Sequence, residues 1–370
     1  MPKSSARARS TTRIQDASPT AAALAGATTI AATAGFADSG HGSALIGETR
    51  SVQPAPAATP AIDALKASYR RPKFIPFPKD NHYTREKASL GKKLFFDTRL
   101  SLTAAQSCAS CHNPGFGWGD GLAVGVGQGM LNLDRHSPTI VNLAWGALFM
   151  WDGRAVSLEE QALGPIQSPA EMNMPIDLLV RRLGSFAEYT LLFATAFPGR
   201  GLSSRTLAEA IATYERTVVS EQAPFDAWID GDEHAISEEA KRGFVLFNTK
   251  GQCSSCHEGW NFTSDGFHDI GLRSADVGRG QFLPGIPKML HAFKTPGLRE
   301  ISLRGPYMHN GSIATLEEVV DHYDRGGLDR PSRSDLMMPL RLEPEEKAAL
   351  VAFLKTLAST SPTNMPIFPR

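Results

Sequence analysis

Apolar positions along this chain recur mostly at helical spacing and only briefly with the two-residue alternation of a strand. In the segment 206–220, Leu207, Ile211, Tyr214 and Val218 fall on one face of a helix. The segments 177–186, 189–196 and 316–323 also read as helices. A last helix begins after Glu343, with Pro344 in the first turn where its missing N–H is harmless, and buries Leu350, Phe353, Leu354 and Leu357. Two further helical stretches open with acidic residues, which the positive end of a helix favours: Glu86 before Gly91, and Glu238-Glu239 before Gly243. Ser237 is placed to cap the second of these. The region 266–311 is rich in Gly and Pro and reads as loop. The fold class is therefore mainly α.

Those last two helices are copies of one unit. Gly91-Lys92-Lys93-Leu94-Phe95 precedes Cys108-Ala109-Ser110-Cys111-His112, and Gly243-Phe244-Val245-Leu246-Phe247 precedes Cys253-Ser254-Ser255-Cys256-His257. Both read G-x-x-L-F, a polar loop, then C-x-S-C-H. A repeated unit implies two similar domains, with expected bounds 71–235 and 236–358 and a tail at 359–370.

C-x-x-C-H is the attachment sequence of c-type haem: the thiols form thioethers and the following His reaches the iron. The two motifs consume all four cysteines of the chain. A structural zinc site would instead gather four ligands in one place, whereas here each Cys pair has its own His and its own helix. The reading is two covalently bound c-type haems, held through Cys108, Cys111, Cys253 and Cys256, with His112 and His257 as proximal iron ligands. The architecture becomes two cytochrome c-like haem domains with long connecting loops.

Composition narrows the function. The 370 residues carry 38 Lys+Arg against 38 Asp+Glu, a formal net charge of zero, which leaves no basic surface for nucleic acid. At 42% hydrophobic the chain can bury a sizeable core. Lys3, Arg7, Arg9 and Arg13, an Ala/Thr-rich stretch and Ala32-Thr33-Ala34 mark residues 1–37 as a signal peptide, and 38–70 as a flexible linker. Export to the periplasm suits c-type haem, and no transmembrane segment is expected.

With the haems placed, the chain resembles the di-haem cytochrome c peroxidase family, including its MauG-type enzymes, over residues 71–357. The resemblance rests on Arg135-His136-Ser137-Pro138-Thr139, Phe149-Met150-Trp151-Asp152-Gly153-Arg154, Glu160-Gln161-Ala162-Leu163-Gly164-Pro165, Glu171-Met172, Phe293-Lys294-Thr295-Pro296-Gly297-Leu298-Arg299, and Pro306-Tyr307-Met308-His309 followed by Thr315-Leu316-Glu317. It implies that hydrogen peroxide is reduced at the N-terminal haem and that the C-terminal haem is an electron-transfer centre. Glu171 stands where the family has its acid/base glutamate, Gln161 where it has a distal amide, and Trp151 where a tryptophan relays charge between the haems. Gln128 stands where some members block the peroxide site with a histidine, so the site is expected to be open.

Tyr323 occupies the position at which conventional members ligate the second iron with methionine. A phenolate favours oxidised iron and a thioether favours reduced iron. Tyr323 therefore points to the MauG type, in which peroxide oxidises both centres and the oxidising equivalents are used on a protein partner. His322, Met337 and Met338 are the rival ligands. The alternatives are a detoxifying peroxidase fed by a small redox protein, and a di-haem electron carrier without peroxide chemistry. The resemblance also carries an inter-haem calcium site, against which His136 and Arg304 argue, since neither suits a hard, oxygen-seeking cation. His268, His291 and His309 are expected to hydrogen-bond rather than to ligate. The chain is expected as a monomer or a homodimer.

Overall fold

The computed structural model describes residues 62–359. The expected signal peptide, residues 38–61 of the expected linker and the tail from 360 lie outside the described residues. The helices, in chain order, are α1 (Ile62–Ser68), α2 (Arg85–Phe95), α3 (Cys108–Cys111), α4 (Leu158–Gln167), α5 (Ile176–Gly184), α6 (Ala187–Ala196), α7 (Ser204–Arg216), α8 (Pro224–Ile229), α9 (Glu238–Asn248), α10 (Leu316–Asp324) and α11 (Pro344–Lys355). Short 3₁₀ turns and long loops join them. The strands β1 (Phe267–His268) and β2 (Phe293–Lys294) pair antiparallel, Phe267 opposite Lys294. None of the described helices is long and apolar enough to cross a membrane.

Two helix crossings organise the molecule, and both are built on the repeated glycine. Thr84 caps α2 by accepting the Lys87 N–H, and Ser237 caps α9 by accepting the Ala240 N–H, as expected for Ser237. Helix α2 meets α7 at Gly91, where a Cβ would lie 1.9 Å from Ala210 O and 2.8 Å from Tyr214 Cβ. Helix α9 meets α11 at Gly243, where a Cβ would lie 1.9 Å from Ala349 O and 2.7 Å from Phe353 Cβ. Only a residue without a side chain lets backbones approach so closely. The repeat thus extends to an Ala and an aromatic four residues apart on the partner helix.

Each crossing seeds an apolar core. The first gathers Leu94, Phe95, Trp118, Leu179, Phe193 and Tyr214, all nearly or fully buried. The second gathers Phe225, Trp228, Phe244, Phe247, Phe262 and Phe353, whose rings meet mostly edge to face. Each such side chain withdrawn from water contributes about 1.5–3 kcal/mol.

The second core differs from expectation at its edges. Residues 62–70, expected within a flexible linker, carry α1 and Tyr69. Tyr69 is 2% exposed, stacks near Phe262 at 4.9 Å and donates to Asn248 Oδ1 at 2.7 Å. Lys66 pairs with Glu233 at 2.6 Å and lies over Trp228. Helix α8, in the segment expected to belong to the N-terminal domain, packs on this second core through Phe225 and Trp228. Large apolar residues captured by a distant core override the local composition. Helix α7 ends at Arg216, short of the expected 220, although Val218 stays buried.

Candidate active site

The first C-x-x-C-H motif is a single helical turn. Ser107 N donates to Ser110 Oγ at 3.0 Å, and His112 N closes the turn on Cys108 O at 2.9 Å. The following loop folds back so that His112 Nδ1 lies 3.3 Å from Trp118 O. The second motif repeats the design: His257 N bonds Cys253 O at 2.8 Å, and His257 Nδ1 lies 2.9 Å from Phe262 O. A carbonyl only accepts, so both Nδ1 atoms carry the proton and both Nε2 lone pairs stay free for a metal. Burial lowers the pKa of both rings, that of His257 to about 4, which keeps them neutral as iron ligation requires.

None of the four cysteines forms a disulfide with another. Burial pushes the Cys111 thiol up to about 11 and the Cys253 thiol up to about 12. A continuous cavity of about 1650 Å³ is lined by Cys111, His112, Cys253, Cys256, His257 and Tyr323. Neutral imidazoles with free Nε2 atoms, protonated thiols beside them and a large, mostly apolar cavity fit two covalently attached haems.

Glu171 and Gln161 line the same cavity as His112. Glu171 sits in a tight reversal after α4: its N–H bonds Ser168 O at 3.1 Å, Met172 N bonds Pro165 O at 3.1 Å and Met174 N bonds Ile166 O at 2.8 Å. The Glu171 charge is among those that raise the Cys111 thiol, after burial and Asp120. Gln161 lies on α4, and Pro165 four residues later has no N–H to return to it. Its Oε1 is buried without a partner among the described residues, and its Nε2 meets only Met150 Sδ at 4.0 Å. An amide left unsatisfied at a cavity wall is equipped to hold a polar ligand. Gln128 N bonds Ala170 O at 3.1 Å, and a Cβ on Gly127 would lie 1.8 Å from that same oxygen. The Gln128 loop is thereby docked beside Glu171, and Gln128 is not among the residues that line the cavity.

Trp151 occupies the junction between the two motifs. Its indole N–H donates to His136 O at 2.8 Å, its own carbonyl accepts from Lys294 N at 2.8 Å, and its ring lies 6.5 Å from that of His309. Next to it Asp152, 1% exposed, receives Arg135 at 2.5 Å and Arg154 at 2.7 Å. Arg135 also forks onto Asp276 at 2.7 and 3.0 Å. Arg279 donates to Asp152 O at 3.0 Å and Gly153 O at 2.7 Å. The links from Arg135 to Asp276 and from Arg279 to Asp152 and Gly153 were not singled out in the sequence, because their partners lie more than a hundred residues apart.

Tyr323, on α10, faces the His257 half of the cavity. Burial raises its phenol above the ordinary range, and among the described residues no group hydrogen-bonds its hydroxyl. Its neighbour His322 is turned away, with Nε2 2.9 Å from Ile270 O. Met337 and Met338 line the same cavity, Met337 buried and Met338 46% exposed. The other histidines are hydrogen-bonded: His291 Nδ1 lies 2.7 Å from Asp276 O, His309 Nε2 3.3 Å from Ser274 Oγ, and His268 Nδ1 3.2 Å from Ser334 Oγ.

Comparison with known proteins gives the same two parts. Residues 85–234 match the family model for di-haem cytochrome c peroxidase, and residues 240–358 match that for cytochrome c. The methylamine utilization protein MauG of Methylorubrum extorquens is 51% identical over 312 residues, covering 83% of this chain and 88% of that one. The MauG of Methylophilus methylotrophus is 46% identical over 295 residues, covering 79% and 88%. Among solved structures, a MauG-like protein associated with microbial copper homeostasis superposes with a TM-score of 0.74 at 32% identity, covering 81% of this chain and 97% of that one.

Proposed function

From the premise that the chain belongs to the di-haem cytochrome c peroxidase family, on its MauG-type branch, we propose that it reduces hydrogen peroxide in the Glu171 half of the cavity and directs the oxidising equivalents to a protein partner. The haems supply the iron at which the O–O bond is cleaved and the centres at which oxidising equivalents reside. The chain's own groups do the rest.

Glu171 takes the proton from the near peroxide oxygen and delivers it to the far one, which leaves as water. The rigid turn around Ser168 holds the carboxylate in place for both transfers. Gln161 orients peroxide through the carbonyl oxygen that has no other partner. The Gln128 loop leaves the approach open, so the protein reacts without prior reduction. Trp151, bonded on one side to His136 and on the other to Lys294, relays charge across the junction. Tyr323 would hold the second iron through its phenolate oxygen, giving up its proton, and an anionic oxygen there would favour the oxidised state and a lower potential. The protein acts in the periplasm, and its partner belongs to a methylamine-utilising system, in keeping with the names of the two MauG relatives.

The observation that carries this reading is that Glu171 and an unsatisfied Gln161 line the same cavity as His112. Its test is stopped-flow mixing of the fully ferric protein with one equivalent of hydrogen peroxide and no reductant. The expected result is a rapid change at both haems to a long-lived oxidised state. A protein that stays silent until one haem is reduced would overturn both the open site and the Tyr323 assignment. Met337, buried in the same half of the cavity, supports one second reading, a donor-fed peroxidase with a thioether on the second iron.

A further inference from the structure

Arg304 follows the short turn Ile301–Leu303 and lines the cavity shared by the two C-x-x-C-H motifs. The residue is 8% exposed. Its Nη2 donates to Gly297 O at 2.6 Å, while its Nε has no partner. Among the described residues no carboxylate lies within ion-pair distance of it. The contrast with Arg299 is sharp, since that equally buried guanidinium is paired with Asp226 at 2.8 Å. The adjacent carboxyl, Glu300, accepts from Ser359 N at 3.0 Å instead. A buried cation with only one neutral acceptor lacks its anion.

Its position identifies the missing group. Gly117, in the turn that orients His112, is held at φ +59°, and a Cβ there would lie 2.6 Å from Arg304 Cγ. Gly297, whose carbonyl Arg304 holds, packs on Asn261, where a Cβ would lie 2.9 Å from Asn261 O. One guanidinium therefore leans on the loop of the first motif and holds a loop packed beside Phe262, whose carbonyl receives His257 of the second. The anions that two haems bring into this cavity are their propionate carboxylates.

We propose that Arg304 is the binding residue for haem propionate at the junction of the two centres, and that its charge raises the reduction potential of the haem it pairs with. This rests on the two-haem reading of the cavity. A positive charge beside a haem opposes the further positive charge of the ferric state, so its loss lowers the potential.

The test compares Arg304→Gln and Arg304→Lys in the full-length holoprotein by spectroelectrochemical titration, with haem counted per chain by pyridine haemochrome. Expected is two haems in Arg304→Gln with a lowered midpoint for at least one of them, and recovery of most of the shift in Arg304→Lys. Unchanged midpoints in Arg304→Gln, or an equal shift in Arg304→Lys, would overturn the charge role. If Arg304→Gln loses a haem, Arg304→Lys decides alone: two haems at wild-type midpoints support the proposal, and loss there as well assigns Arg304 to packing. A wild-type protein with two haems but no peroxide reaction would sink the peroxidase reading and leave this comparison intact.

Discussion

Gly91 and Gly243 occupy equivalent places in two separate helix crossings, each leaving room for a facing backbone carbonyl, Ala210 O and Ala349 O, at a distance no side chain tolerates. Replacing either with Ala forces the helices apart. Gly91→Ala and Gly243→Ala should each cost about 1–3 kcal/mol, the usual scale for overpacking. Thermal denaturation of the holoprotein checks this, and a change of less than 1 °C in Tm would show that the crossings yield freely.

Glu171→Gln keeps the shape of the turn around Ser168 but removes the carboxylate proposed as the acid/base group. Both haems should remain, and the peroxide reaction should slow by about a hundredfold or more. Stopped-flow rates at one equivalent of peroxide decide it; an unaltered rate would remove Glu171 from the mechanism.

Tyr323→Met exchanges the proposed phenolate ligand for a thioether. The midpoint potential of the second haem should rise, and a half-reduced form should become easy to prepare. If spectrum and potential both match the wild type, Tyr323 is not on the iron and Met337 becomes the candidate.

Trp151→Phe removes the indole N–H bonded to His136 O while keeping an aromatic ring. Peroxide should still react in the Glu171 half of the cavity, but oxidation of the second haem should lag by at least tenfold. Equal rates at the two haems would place the relay elsewhere.

His309 supplies a pH test. It is stacked on Phe293 at 3.6 Å, and burial holds its pKa at about 4, below the ordinary imidazole value of 6.5. Between those values the unfolded chain binds the proton more readily, so stability is full above about pH 6.5 and falls as the pH drops towards 4. The loss attributable to this residue is on the order of 3 kcal/mol. His309→Asn should flatten the decline of Tm between pH 7 and pH 4.5, and parallel curves for the two proteins would exclude it.

What the sequence made legible was local. The C-x-x-C-H turns, the acidic helix starts and Ser237 as a cap depend on residues within a few positions of one another. Helix α4 was missed as an element because Pro165 interrupts it, although Gln161 on its face was singled out. The inclusion of 62–69 in the second core was hidden for another reason: Tyr69 finds Phe225, Phe244 and Phe262 only after the chain has folded. Arg304 was read as an obstacle to calcium, because the loop it leans on and its lack of an anion are properties of three dimensions. Long-range polar links such as Arg135 with Asp276 leave no period or motif to find.

The clamp of Arg135, Asp152, Asp276 and Arg279 around Trp151 implies a molecule that works as a solid-state device. On the proposed relay through Trp151, charge would cross a fixed path with little reorganisation of the surrounding protein at each transfer. Such an enzyme should stay competent when motion is denied to it. Immobilised on an electrode or locked in a crystal lattice, it should still accept peroxide at one centre and present the oxidising equivalents at the other.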